Sequence, residues 1–209
     1  YFGHHAAIGV FKDEVTLKAV GLHVSFWYPR YFVSDADRLI EWVLASDRNV
    51  LRQLLTTNET FMLTMDPRGR DSHGESTKNY RKLQPDKPHQ GFEQLVLDVY
   101  EVPLKSRREW SDDRPYDMPA EHRAGLLTHP AWLIAQSGNF DNHAIHRGRW
   151  IREKLLGGLV PDVPVTVNAM LPDEPHRSLR DRMNVTREEY CWKCHRQMDP
   201  LGLAFEQFD

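Results

Sequence analysis

The chain has little sulfur and no long apolar run. Two cysteines in 209 residues exclude a disulfide-built scaffold, and this length can bury a core without disulfides. No window approaches the roughly 18–20 consecutive apolar residues that a membrane span requires. Neither sign of charge is in large excess. A formal net charge of −3 argues against a protein that works mainly by holding nucleic acid. Internal repeats and low-complexity tracts are missing too, which excludes repeat architectures. The first residue is Tyr1, no signal peptide is seen, and "FEQFD" closes no obvious element. An internal piece of a longer polypeptide is therefore expected.

Histidine is plentiful, with eleven residues. This enlarges the supply of metal ligands, although most histidines serve ordinary surface or hydrogen-bonding roles.

The first thirty residues are aromatic-rich and show no clean period. In "SDADRLIEWVLASD", Ser34 and Asp35 suit a helix cap, and Ala36, Leu39, Ile40, Val43 and Leu44 follow the spacing of one buried helical face. Asp47 reads as the cap of a second helix carrying Val50, Leu51, Leu54 and Leu55. Residues 66–91 are polar and rich in turn formers, a long loop and a candidate boundary. "FEQLVLDVYEVP" is expected to add a strand. "HRGRWIREKLLGG" sets Trp150, Ile151, Leu155 and Leu156 on one stripe, with Gly157 and Gly158 available to stop the helix. "LVPDVPVTVNAMLPDEP" is proline-spaced and extended, and "SLRDRMNV" opens a last helical region. The expected fold is mainly α and irregular, with long loops. Its divisions are a helical segment over 1–65, loops with a strand over 66–120, and a C-terminal domain over 121–209.

Both cysteines fall in "EEYCWKCHRQMDPLG". Thr186 and Glu189 have capping-box spacing. A helix starting there, about three turns long, carries Cys191, Cys194 and His195 at i, i+3 and i+4, on one face. Pro200 is expected to stop it, and Gly202 to let the chain turn afterwards. Two thiols one turn apart match the two vinyl groups on one edge of a porphyrin, and the adjacent histidine suits the proximal position under iron. Cys-x-x-Cys-His is the attachment signature of c-type haem. Three rivals fit less well. A zinc site lacks a second Cys/His pair, a thioredoxin-like dithiol lacks the preceding apolar strand, and a disulfide this short is strained.

The opposite axial position needs a ligand from distant sequence. Met198 lies on the proximal helix and is expected to pack at the ring edge. His146 is the preferred distal candidate, because it precedes a helix packed by Trp150 and Ile151. His129, His143 and Met170 are the others. Arg147 and Arg149 could pair with haem propionates.

"HRAGLLTHPAWLIAQSGNFDNHAIHRGRWIREKLLGG", "SLRDRM" and "CWKCHRQMDPLGLAFEQFD" resemble a family of large, secreted, multidomain cytochrome-c-like proteins abundant in planctomycetes. "GVFKD" and residues 33–62 look like the domain that precedes the haem-motif domain in that family. The resemblance implies export to a periplasmic or extracellular location in a bacterium. It also implies one covalent haem c on Cys191, Cys194 and His195, and further domains on both sides. It carries no defined substrate.

Three functions follow as expectations. The first is electron transfer within an extracytoplasmic oxidoreductase or respiratory assembly, with a redox protein or neighbouring domains and subunits as partners. The second is a haem enzyme with an open distal site, peroxidase- or dehydrogenase-like. The third is a structural or assembly subunit stapled by its haem.

Overall fold

The computed structural model describes residues 1–10, 28–62, 92–104, 111–138, 143–162, 171, 172, 174 and 176–208. The expected boundary loop over 66–91 lies outside the described residues. The chain is mainly helical, and it divides into two compact units, Tyr1–Ala135 and Gln136–Asp209.

The first unit is organised by α1, Tyr28–Ser46. Helix starts six residues before the expected cap at Ser34. Pro29 suits a first turn, where its missing N–H is not needed, and Tyr31, Phe32 and Val33 are buried. Ser34 and Asp35 are therefore interior residues, also buried, and cap nothing. Ala36, Leu39 and Val43 form the expected inner face, whereas Leu44 is 53% exposed and falls outside it.

Helix α2, Val50–Thr56, is preceded by Asn49 in the left-handed region at φ 47°. Asn49, rather than Asp47, is thus the cap position; asparagine is among the few residues that tolerate this conformation. β1, Glu59–Thr60, pairs antiparallel with β2, Tyr116–Asp117, with Glu59 opposite Asp117 and Thr60 opposite Tyr116. Between them in sequence, the segment expected as a strand is helix α3, Phe92–Tyr100. Val96, Leu97 and Tyr100 are buried while Asp98 is exposed, which is the i, i+1, i+4 pattern of a helix and not the alternation of a strand. A short helix α4, Pro130–Ala135, completes the unit, with Trp132 fully buried.

A 3₁₀ turn, His4–Gly9, packs on α1 and α4. His4 Nε2 lies 2.9 Å and His5 Nε2 2.7 Å from the same oxygen, Oδ1 of Asp37 on α1. Burial lowers the His4 pKa despite the attraction of Asp37. Burial works to raise that of Asp37, but the hydrogen bonds from His5 and His4 outweigh it and hold the carboxyl below its ordinary value.

The second unit contains α5, Ala144–Trp150, which continues into a π turn, Ile151–Leu155, and ends near Gly157 at φ 64°. Ile151 is buried, whereas Leu156 is 56% exposed, so the expected stripe ends at the π turn, where the repeat changes from four residues to five. Next come α6, Leu179–Arg182, capped by the Ser178 side chain accepting from the Asp181 N–H, and a 3₁₀ turn, Met183–Arg187. α7, Glu189–His195, and α8, Asp199–Leu203, close the chain.

α5 and α8 touch backbone to backbone. A Cβ added to Gly202 would fall closer than 3.0 Å to the Ala144 carbonyl, and one added to Gly148 would do the same at the Met198 carbonyl. Ala144 and Gly148 are one turn apart on α5 and present a small-residue surface to Gly202.

Candidate functional site

α7 has seven residues, so about two turns rather than three. It begins at Glu189, and Glu188 at its N-cap makes no side-chain cap bond. The expected capping box does not form, because Thr186 belongs to the preceding 3₁₀ turn and its hydroxyl is used elsewhere. Pro200 does not end this helix either. α7 stops at His195, a turn over 196–198 follows, and Pro200 sits in the first turn of α8. Gly202 is helical too, and its missing side chain serves the seam with α5 rather than a turn.

Cys191 and Cys194 are both free thiols, half-buried. With His195 they occupy one short helix at i, i+3 and i+4, so the face anticipated from spacing is present. No side chain of α7 is buried, and Tyr190 is 60% exposed. A seven-residue helix whose side chains are at most half-buried has little to hold it on its own.

The imidazole is positioned from below. Its Nδ1 lies 2.8 Å from Oδ1 of Asp199, the first residue of α8. A carboxylate can only accept, so the proton is on Nδ1 and Nε2 presents its lone pair. Nε2 has no hydrogen-bond partner among the described residues. Asp199 is 4% exposed, and its other oxygen lies 2.6 Å from the Thr186 hydroxyl, which is also 2.8 Å from the Met183 carbonyl. Thr186, Asp199 and His195 therefore form a buried relay that fixes one tautomer and one ring orientation. Met198, beside them, is buried at 5% exposure.

Asp199 and Thr186 hold positions behind His195 that sequence reasoning missed. The i, i+4 spacing of His195 and Asp199 was the available signal, obscured because a carboxylate before proline reads as a helix stop. Thr186 and Asp199 also help to wall a depression of about 120 Å³, together with Arg180, Arg187, Met183 and Trp192.

The donor set fits covalent haem: two unpaired thiols one turn apart, and a histidine whose Nδ1 is tied and whose Nε2 is available. The remaining candidates are dispersed. His143 is the N-cap residue of α5, whereas His146 lies within its first turn and does not precede the helix as expected; both are exposed, with ring centroids 6.3 Å apart. Where the protein covers part of the His146 ring, desolvation lowers its pKa, helped by His143 and Arg149. Arg147 is buried. Arg149 donates to Glu153 and Asp162 at 3.0 and 2.8 Å, so its charge already has two carboxylate partners. Met170 lies outside the described residues.

His129 belongs to the first unit and is fully buried. Its Nδ1 accepts the Ala131 N–H at 3.2 Å, at the start of α4. Its Nε2 is 3.3 Å from the Thr60 hydroxyl and 3.4 Å from Tyr100 Oη, which donates to the buried Asp35 at 2.8 Å. Both nitrogens are engaged within that unit. Burial, followed by the charges of His4 and Arg123, pushes its pKa down to about 3, so it is neutral at pH 7.

Residues 123–209 match the family PSCyt3, described as a protein of unknown function (DUF1588). The match fits the cytochrome-c-like resemblance and spans the whole second unit, and residues 1–122 lie outside it. No curated protein and no solved structure matches the chain. Among the described residues no helix is long and apolar enough to cross a membrane.

Proposed function

We propose that this chain is a c-type haem protein. Cys191 and Cys194 tether one haem, and His195 Nε2 is its proximal ligand. The protein moves electrons within an extracytoplasmic oxidoreductase or respiratory assembly. The observation that carries this reading is the His195–Asp199 pair, which leaves a single oriented nitrogen beside two free thiols on one short helix. The name of the matched family supports it, and the extracytoplasmic location rests on the resemblance.

When bound, haem supplies a one-electron couple whose potential depends on its ligands, their hydrogen bonds and their burial. The residues of this chain set those terms. Asp199 draws the Nδ1 proton toward itself and so raises the basicity of Nε2. Thr186 holds the carboxylate in place. Arg180 and Arg187 bring positive charge to the depression next to Asp199.

The direct test is haem attachment. Cys191→Ala and Cys194→Ala are each expected to abolish the normal pyridine haemochrome spectrum of the purified protein, and His195→Ala to abolish its native c-type absorption spectrum, since pyridine itself replaces axial ligands. A full c-type spectrum retained in all three overturns the assignment. A second expectation concerns Asp199. Asp199→Asn removes the negative charge from Nδ1, weakens the donor at Nε2, and should raise the midpoint potential in a redox titration. An unchanged potential in Asp199→Asn would remove the tuning role while leaving attachment intact.

The carboxylate behind His195 also favours a second reading, a haem enzyme with an open distal site, because a strongly donating proximal imidazole suits activation of a molecule at the opposite position. A high-spin spectrum with rapid binding of cyanide or carbon monoxide supports that reading. A low-spin, exchange-inert spectrum supports the electron carrier.

A further inference from the structure

We propose that His4, His5 and Asp37 form a binding site for a divalent transition-metal ion, independent of the Cys-x-x-Cys-His segment. Neighbouring side chains in a helix ordinarily point to different sides. Here the tight 3₁₀ turn brings the rings of His4 and His5 to 4.5 Å between centroids, at 82°. Both Nε2 atoms aim at one carboxylate oxygen of Asp37, 32 and 33 residues away. One ligand atom from each residue lies within 4.8 Å of the other two. An ion with bonds of about 2.0–2.2 Å to nitrogen and oxygen needs its ligand atoms a few ångströms apart, so only a small outward adjustment of the present triangle admits it.

The mount is firm on one side and open on the other. His4 is 8% exposed, held by a turn packed on α1 and α4, and Asp37 projects from the middle of α1. The His5 side chain is 57% exposed, so water reaches the outer side of the cluster. His4 Nδ1 is buried and has no hydrogen-bond partner among the described residues, so the group at Nε2 can set its tautomer. Two imidazoles and a carboxylate, with no thiolate, suit zinc, iron(II), nickel or copper and disfavour calcium and magnesium. Three protein ligands with an open side are the arrangement of sites that keep a position for water or substrate, unlike closed structural sites.

The test uses the full haem-loaded chain, titrated with Zn²⁺ and with Co²⁺ by calorimetry. One equivalent of each is expected. His5→Ala alters an exposed side chain and should leave the fold intact by circular dichroism. It is expected to weaken Zn²⁺ binding by more than about 100-fold, beyond the 10–100-fold typical of losing an outer-shell partner. Asp37→Asn should do the same. A Cys191→Ser/Cys194→Ser chain separates this site from the thiols whatever becomes of the haem reading, since it must retain the equivalent that His5→Ala loses. Wild-type affinity in His5→Ala, or binding that vanishes with the cysteines, overturns the proposal. So does a wild-type chain that binds neither ion, in which case the cluster only fastens the turn to α1.

Discussion

Gly202→Ala is expected to destabilise the second unit by about 3 kcal/mol or more. Overpacked cores typically lose about 1–3 kcal/mol, because neighbouring side chains rotate or slide to make room. At Gly202 the obstructing atoms are the carbonyl oxygen and carbon of Ala144 on α5, with the amide nitrogen of Gly148 at 3.0 Å. These are backbone atoms in a helix and cannot rotate aside. The seam between α5 and α8 must open instead. Alanine's better helix propensity returns only about 1 kcal/mol. Gly148→Ala meets the Met198 carbonyl in the same seam and should cost a similar amount. The double variant should cost less than the sum, since helices already pushed apart have lost the contact once. Denaturant unfolding followed through Trp150 and Trp192 measures this, and a Gly202→Ala protein within about 0.5 kcal/mol of the parent would contradict it. Asp199 opens the same helix as Gly202. Displacement of α8 should therefore also loosen the His195–Asp199 bond and move the midpoint potential in the direction expected for Asp199→Asn.

The second large effect is acid destabilisation of the first unit through His129. In the folded chain its pKa lies near 3, against an ordinary value of 6.5, so the unfolded chain binds the proton more readily. The stabilisation from a neutral His129 is complete above pH 6.5 and is lost as pH falls toward 3. The slope within that window is about 1.4 kcal/mol per pH unit, or about 2 kcal/mol between pH 6.5 and 5. The cause is geometric as well as electrostatic. Nδ1 is occupied by the Ala131 N–H, and no water reaches the ring, so a second proton would break a helix-initiating bond in a dry site. His4, also lowered by burial, contributes with the same sign. Urea unfolding at pH 6.5 and 5, read through the buried Trp132, should show the loss. His129→Gln should be less stable at pH 7 and should show a much smaller change between the two pH values. A parent whose stability is flat across this interval would rule out a buried neutral His129.

Sequence and tertiary structure contributed different parts of this molecule. Local spacing alone determined the mainly helical character and the shared face of Cys191, Cys194 and His195, because these depend on residues within one or two turns. Locality is also why boundaries slipped. Ser34 looks like a cap until the aromatic residues before it find a core, and "FEQLVLDVY" looks like a strand until Val96, Leu97 and Tyr100 are buried on one side. Only the tertiary structure decided what lies behind the imidazole. Asp199 stands only four residues from His195, but its carboxylate is held there because Thr186 meets its other oxygen and because Gly202 and Gly148, 54 residues apart, let the backbones of α5 and α8 meet. The same holds for His4, His5 and Asp37, and for the burial of His129. Contacts of this kind close long loops, and their free energy comes from packing and exclusion of water rather than from any preference written in neighbouring residues.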